Sequence, residues 1–244
     1  MIDSLLLTAA RINTFEHERG LTHASGFFFL RDERLYLVTS RHVLIDTPSK
    51  HFPNRIEIEL HTREDDLGKS VNLSVMLYED GKGRWRQGQD SAGEIDVALL
   101  ELDRAALPKD AVIRSFTPAH IQPAAGTVEV GTSVLIVGFP LGFHDTLHHL
   151  PVVRQAVVAS AFGMRFQGQG YFLTDARTHR GTSGSPVVLR DQAGAHGHSQ
   201  DLPWKLLGVH SASLDMKDRY RVQDETLGLN CAWYADMLMT LSEG

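Results

Sequence analysis

The apolar residues of this chain come in short bursts. Runs rich in Val, Leu, Ile and Phe last for the length of a strand and stop at Gly, Pro, Asp or charged clusters, with no sustained stripe at a 3.6-residue spacing. A chain of 244 residues patterned in this way folds as β-sheet. The spacing predicts strands over 5–14, 25–30, 35–40, 55–60, 71–78, 97–102, 133–138, 152–161, 171–174, 186–189 and 204–211. One apolar segment departs from the pattern. Over 230–241, Trp233, Met237 and Leu241 recur at helix-like spacing with Asp236 and Thr240 between them, which predicts a closing helix containing the single cysteine, Cys231.

Two polar stretches read as surface loops: 79–94, with four glycines, and 190–203, with Gly194, His196, Gly197 and His198. A third, 102–131, carries Pro108, Pro118, Pro123 and Gly126 and falls near mid-chain, so it divides the sequence into β-halves at 1–115 and 116–244. Neither repeats nor low-complexity tracts are visible. A hydrophobic fraction of 42% and a charged fraction of 22% exclude disorder, collagen and coiled coil for the whole chain. With 30 acidic residues against 24 basic ones the net charge is −6, so no basic excess is present to neutralise nucleic-acid phosphates. One cysteine forbids an intramolecular disulfide. The first residues, Met1 to Arg11, lack the basic lead of a secretory signal, and no apolar stretch reaches the roughly 18 residues of a membrane span. The expected location is a reducing cytoplasm.

The segment Gly181-Thr182-Ser183-Gly184-Ser185-Pro186 carries the clearest chemical signal. Small residues around Ser183 permit a tight turn in which a hydroxyl projects while neighbouring N–H groups converge, as an acyl-transfer nucleophile requires. A serine needs an imidazole to take its proton and a carboxylate to orient that imidazole. His42 ends the run Leu35-Tyr36-Leu37-Val38-Thr39-Ser40-Arg41-His42, and Asp96 opens the apolar run Asp96-Val97-Ala98-Leu99-Leu100. Each residue alone also fits an ordinary turn or strand-end role.

Taken together, the order His42, Asp96, Ser183 resembles the chymotrypsin-like serine proteases, in their bacterial branches without disulfides. Val137-Gly138-Phe139-Pro140-Leu141-Gly142 and Thr174-Asp175-Ala176 look like HtrA-type motifs, and the Ser183 segment resembles bacterial glutamyl endopeptidases. The resemblance implies an all-β fold of two six-stranded antiparallel barrels with a C-terminal helix, His42 and Asp96 in the first and Ser183 in the second. It implies a serine endopeptidase with an oxyanion hole at the N–H groups of Gly181 and Ser183, acting on protein or peptide substrates without cofactor or metal. A rival reading is a catalytically silent, protease-like binding module, or an enzyme active only with a regulatory partner.

The primary pocket, by the same resemblance, is lined by Thr178 and by the string holding His210, Ser211 and Ser213. A hydroxyl at Thr178 and an imidazole at His210 imply cleavage after Glu, or after Gln or Asp; the alternative is a buried strand histidine and a pocket for small apolar residues. Thr182 stands where many digestive relatives carry an activating aspartate, so that activation device is missing. His144, His148, His149, His196 and His198 read as exposed polar loops rather than metal ligands.

Overall fold

The computed structural model of the protein describes residues 2–124, 128–191, 202–211 and 228–243. Six strands build the first half: β1 (Ala9–Glu16), β2 (Arg19–Arg31), β3 (Arg34–Thr39), β4 (Arg55–His61), β5 (Ser70–Met76) and β6 (Ala98–Leu102). Six more build the second: β7 (Ser133–Gly138), β8 (Val152–Val158), β9 (Tyr171–Asp175), β10 (Pro186–Arg190), β11 (Trp204–Ser211) and β12 (Leu229–Tyr234). Helix α1 (Arg41–Leu44) follows β3 directly, and α2 (Met237–Leu241) follows β12. Among the described residues no helix is long and apolar enough to cross a membrane.

The two halves differ in closure. The second is a closed antiparallel barrel in the order β7-β8-β9-β12-β11-β10, and the first is a sheet in the order β5-β4-β1-β2-β3-β6, extended by the short strand Trp85–Arg86. The first of the two expected barrels is therefore an unclosed sheet of seven strands, in which Trp85–Arg86 pairs with Leu99 and Leu100 on the outer side of β6. That pairing also makes part of the predicted 79–94 loop regular.

Strand burial follows from where the sheets meet. On β2, Phe27 and Phe29 point into the core between the two halves, whereas Phe28 points into the first sheet's own interior with Ile12, Leu37, Ile56, Ile58 and Leu100. With both faces covered, Ala24 to Phe29 are all buried and hydrophobic alternation disappears. The shared core is closed from the second half by Val137, Val188, Leu206, Val209 and Trp233. Phe116 joins it edge-on to Phe27 at 5.7 Å and exchanges backbone hydrogen bonds with Phe28 and Leu30, so the chain stays with the first sheet to that point. Ile121 already bridges to Leu206 of the barrel, which puts the crossing between these two residues.

The sequence expectation fails at the C-terminus. Leu229–Tyr234 is a strand, paired with β9 on one side and β11 on the other, and only Met237–Leu241 is helical. Closing the barrel needs a sixth strand. Almost every residue of that strand is buried, so its apolar run shows no two-residue period to distinguish it from a buried helix. Cys231 accordingly lies in the barrel wall, buried, rather than in the helix. At the N-terminus, Ser4–Leu7 form a 3-10 turn capped by the Asp3 carboxylate, which accepts from the Leu5 N–H, and β1 begins only at Ala9.

Candidate active site

The site is assembled where α1, the segment before β6, and the turn between β9 and β10 converge. β3 delivers the chain into α1, the single turn that carries His42. Asp96 lies just before β6, and β6 pairs with β3 in the register Ala98 to Thr39. Adjacent strand ends thus set the imidazole beside the carboxylate. His42 Nδ1 lies 2.7 Å from Asp96 Oδ2, and the His42 backbone N–H donates to Asp96 Oδ1 at 2.9 Å. Ser211, at the end of β11, donates its hydroxyl to Asp96 Oδ2 at 2.8 Å. Three donors therefore converge on one carboxylate.

The electrostatics follow from that geometry. Burial penalises the charged form of both groups, but their mutual attraction and hydrogen bonds outweigh it. His42 is held above its ordinary value of 6.5 and Asp96 below its ordinary 3.8. Their coupling keeps Asp96 ionised and the Nδ1 proton of His42 directed toward it.

Ser183 sits in the turn that precedes β10, 4% exposed. Two glycines shape this turn. Gly181 has φ of 93°, and a Cβ there would lie 2.6 Å from the Phe139 carbonyl oxygen; Gly184 has φ of 86°, and a Cβ there would lie 2.2 Å from the Ser25 carbonyl oxygen. Only glycine tolerates both the dihedral and the approach. Among the described residues, the N–H groups of Gly181 and Ser183 donate no hydrogen bond, and neither does the Ser183 hydroxyl, so no bond joins Ser183 to His42 in this structure. Contacts of this kind are often long before substrate arrives. The turn is held to β11 of its own barrel by backbone: Gly184 N–H donates to the His210 carbonyl, and His210 N–H to the Ser185 carbonyl.

A residue the motifs did not reveal ties the two halves together at this turn. Ser25, on β2 and fully buried, donates its hydroxyl to the Gly181 carbonyl at 2.7 Å, and the same oxygen accepts from the Phe139 N–H at 2.9 Å. Its own N–H donates to the Ser183 carbonyl at 3.1 Å. No local pattern marks such a serine, because its partners lie more than a hundred residues away along the chain.

The predicted pocket residues have more specific roles than their types suggested. The Thr178 hydroxyl donates to Asn230 Oδ1 at 2.7 Å, and Asn230 Nδ2 donates to the Ala176 carbonyl at 2.7 Å. Asn230, on β12, is a second residue the sequence did not single out. His210 is completely buried; burial first, and the nearby His42 charge second, push it down to about 3, so it is neutral. Thr182 Oγ1 donates to the His179 carbonyl, which leaves it to accept from His210 Nε2 at 3.3 Å. His210 Nδ1 is then a buried lone pair without a partner. Ser211, also expected in the pocket, has its hydroxyl committed to Asp96. Ser213 lies outside the described residues, as do His196 and His198.

Comparisons with known proteins bear on the fold and the family. The trypsin-like peptidase domain matches residues 24–195, well over half of the chain. The serine endoprotease from Yersinia pestis is 15% identical with a TM-score of 0.56, over 96% of this chain and 61% of that one. The Mycobacterium tuberculosis protein Rv3671c, in an inactive mutant form, is 16% identical with a TM-score of 0.50, over 98% of this chain and 85% of that one. At such identities the likeness speaks for the fold. The chain spans about three-fifths of the Y. pestis chain's length, and no curated protein sequence matches it. The matched segment contains His42, Asp96 and Ser183, and on that match the chain belongs to the trypsin-like peptidase domain family.

Proposed function

We propose that the protein is a serine endopeptidase in which Ser183 is the nucleophile, His42 the general base and acid, and Asp96 the group that orients His42. The observation that carries this reading is the Asp96 carboxylate accepting from His42 and Ser211 beside a glycine-bounded serine turn. Ser183 Oγ attacks the peptide carbonyl as its proton passes to His42 Nε2. The developing oxyanion accepts from the Gly181 and Ser183 N–H groups, which are free for it. Collapse breaks the C–N bond and the amine leaves with the proton from His42; water then repeats the sequence on the acyl-enzyme. A serine is too weakly acidic to attack unaided, and the imidazolium formed in the step is stabilised by the adjacent carboxylate.

In the pocket, the chemistry supports Gln rather than Glu before the scissile bond. The Thr178 proton is committed to Asn230, so its hydroxyl offers a lone pair to an incoming side chain, and neutral His210, bonded to Thr182, carries no charge to hold a carboxylate. A lone pair pairs with an amide N–H and repels a carboxylate. Because an unmatched buried polar contact costs ~1–3 kcal/mol, kcat/KM at neutral pH should favour Gln by roughly 5- to 150-fold. A panel of fluorogenic peptides with Gln, Glu, Ala and Arg before the cleaved bond measures it. Preference for Glu or Ala would contradict this pocket assignment without touching the nucleophile.

Ser25 acts on this reading as a positioning residue. Removing its hydroxyl frees the Gly181 carbonyl and the Phe139 N–H at the turn, a loss of ~1–2 kcal/mol of organisation. Ser25→Ala should lower kcat roughly tenfold with KM little changed. Steady-state kinetics on one peptide would show it, and an unchanged kcat would remove Ser25 from the account.

A further inference from the structure

The loop after β7 carries three histidines, and the structure separates them. His148 fits the reading of a solvated loop: its Nδ1 pairs with Asp145 Oδ2 and its side chain is half exposed. His144 and His149 do not. Both turn inward toward Glu59 on β4, where the inward residues Ile56, Ile58 and Leu60 alternate with Arg55, Glu57 and Glu59 on the outer face. One ligand atom from each of Glu59, His144 and His149 can be chosen so that all three lie within 4.8 Å of one another.

The details of each group favour a cation. Glu59 Oε2 accepts from Arg11 at 2.6 Å, and Oε1 accepts from the Ser70 hydroxyl at 2.9 Å. His149 Nδ1 lies 2.7 Å from Glu59 Oε1, yet it is buried and forms no hydrogen bond, because the approach has the wrong direction for one. His144 directs Nδ1 at the Gly142 carbonyl, 2.7 Å away. That contact fixes the proton on Nδ1 and leaves Nε2 as a free lone pair, the tautomer that metal-binding histidines adopt.

We propose that Glu59, His144 and His149 form a zinc site that ties the loop after β7 to the first sheet. Two imidazoles and one carboxylate suit zinc, whereas calcium and magnesium take oxygen ligands. With bonds near 2.1 Å, tetrahedral ligands sit about 3.4 Å apart, so groups already within 4.8 Å of one another need shift by little more than about 1 Å, the His149 Nδ1–Glu59 Oε1 pair opening from 2.7 Å. Arg11 holds Oε2, which leaves Oε1 as the single binding oxygen. The partly exposed imidazoles leave the fourth position to water. His61 on β4 already anchors the same loop through the His148 carbonyl at 2.7 Å. The loop begins at Phe139 and Leu141, whose N–H groups contact Ser25 and the Arg180 carbonyl at the Ser183 turn. Zinc at this place would brace that turn from the side.

Isothermal titration of the chelator-treated full chain with zinc, followed by X-ray absorption at the zinc edge, tests the proposal without reference to activity. The expected result is one zinc per chain with two imidazole ligands, and no binding of calcium or magnesium. His149→Ala should weaken zinc binding by on the order of 100-fold, and His144→Ala, at a partly exposed position, carries the same expectation. His148→Ala should bind as the wild type does, and thermal melting without metal checks that all variants are folded. No zinc binding by the wild type, or equal loss in the His148 and His149 variants, would overturn the site.

Discussion

Ser183→Ala is expected to reduce turnover of a peptide substrate by about 10⁶-fold, to the level left by binding and oxyanion stabilisation alone. The hydroxyl contributes nothing to the fold: it forms no hydrogen bond among the described residues, and the turn is held by Gly184, Ser185 and Ser25 through backbone groups. The variant should therefore melt as the wild type does and bind substrate peptides with similar affinity. Active-site-independent measurements, such as fluorescence anisotropy of a labelled peptide, separate the two effects. Loss of both binding and folding would move Ser183 from chemistry to structure.

Asp96→Asn should cost about 10⁴-fold at neutral pH. The carboxylate accepts three protons, from the His42 N–H, the His42 ring and the Ser211 hydroxyl. An amide has one oxygen. If that oxygen keeps the His42 N–H, the amide nitrogen faces His42 Nδ1 and donates to it, so the ring carries its proton on Nε2 and cannot accept one from Ser183. The pH profile should move as well. In the wild type His42 is held above 6.5 by Asp96, in spite of its burial, and only the neutral ring acts as base; activity therefore rises as pH passes through a value above 6.5. Without the negative charge that limb shifts to lower pH. A pH series of kcat/KM for both proteins reads the shift, and an unmoved limb would mean that Asp96 does not set the His42 proton affinity.

Much of this was legible in the sequence because it is local. Strands such as 133–138 and 204–211 have their predicted ends, since their apolar runs meet Gly, Pro or polar residues at the barrel rim. His42, Asp96 and Ser183 stood out because each lies beside a recognisable strand or turn. What was not legible depends on distant parts of the chain. Leu229–Tyr234 is a strand because a barrel of five strands needs a sixth, a demand no window around Trp233 contains. Ser25 and Asn230 matter through partners that only folding supplies. His144 and His149 looked solvated because Glu59, the residue they face, lies on another sheet. The direction of each proton at Thr178 and His210 depends on Asn230 and Thr182, which the residue types alone do not give.

The central claim is that Ser183 is activated by His42 and Asp96, and covalent labelling tests it most directly. A fluorophosphonate reacts with a serine only where an imidazole removes its proton and an oxyanion hole receives the phosphoryl oxygen. Intact-mass spectrometry of the treated protein should show a single adduct, mapped to Ser183, that is absent from Ser183→Ala and strongly slowed in Asp96→Asn. An unlabelled wild type under all conditions, or an adduct that persists in Ser183→Ala, would contradict the account and favour a silent, protease-like binding module.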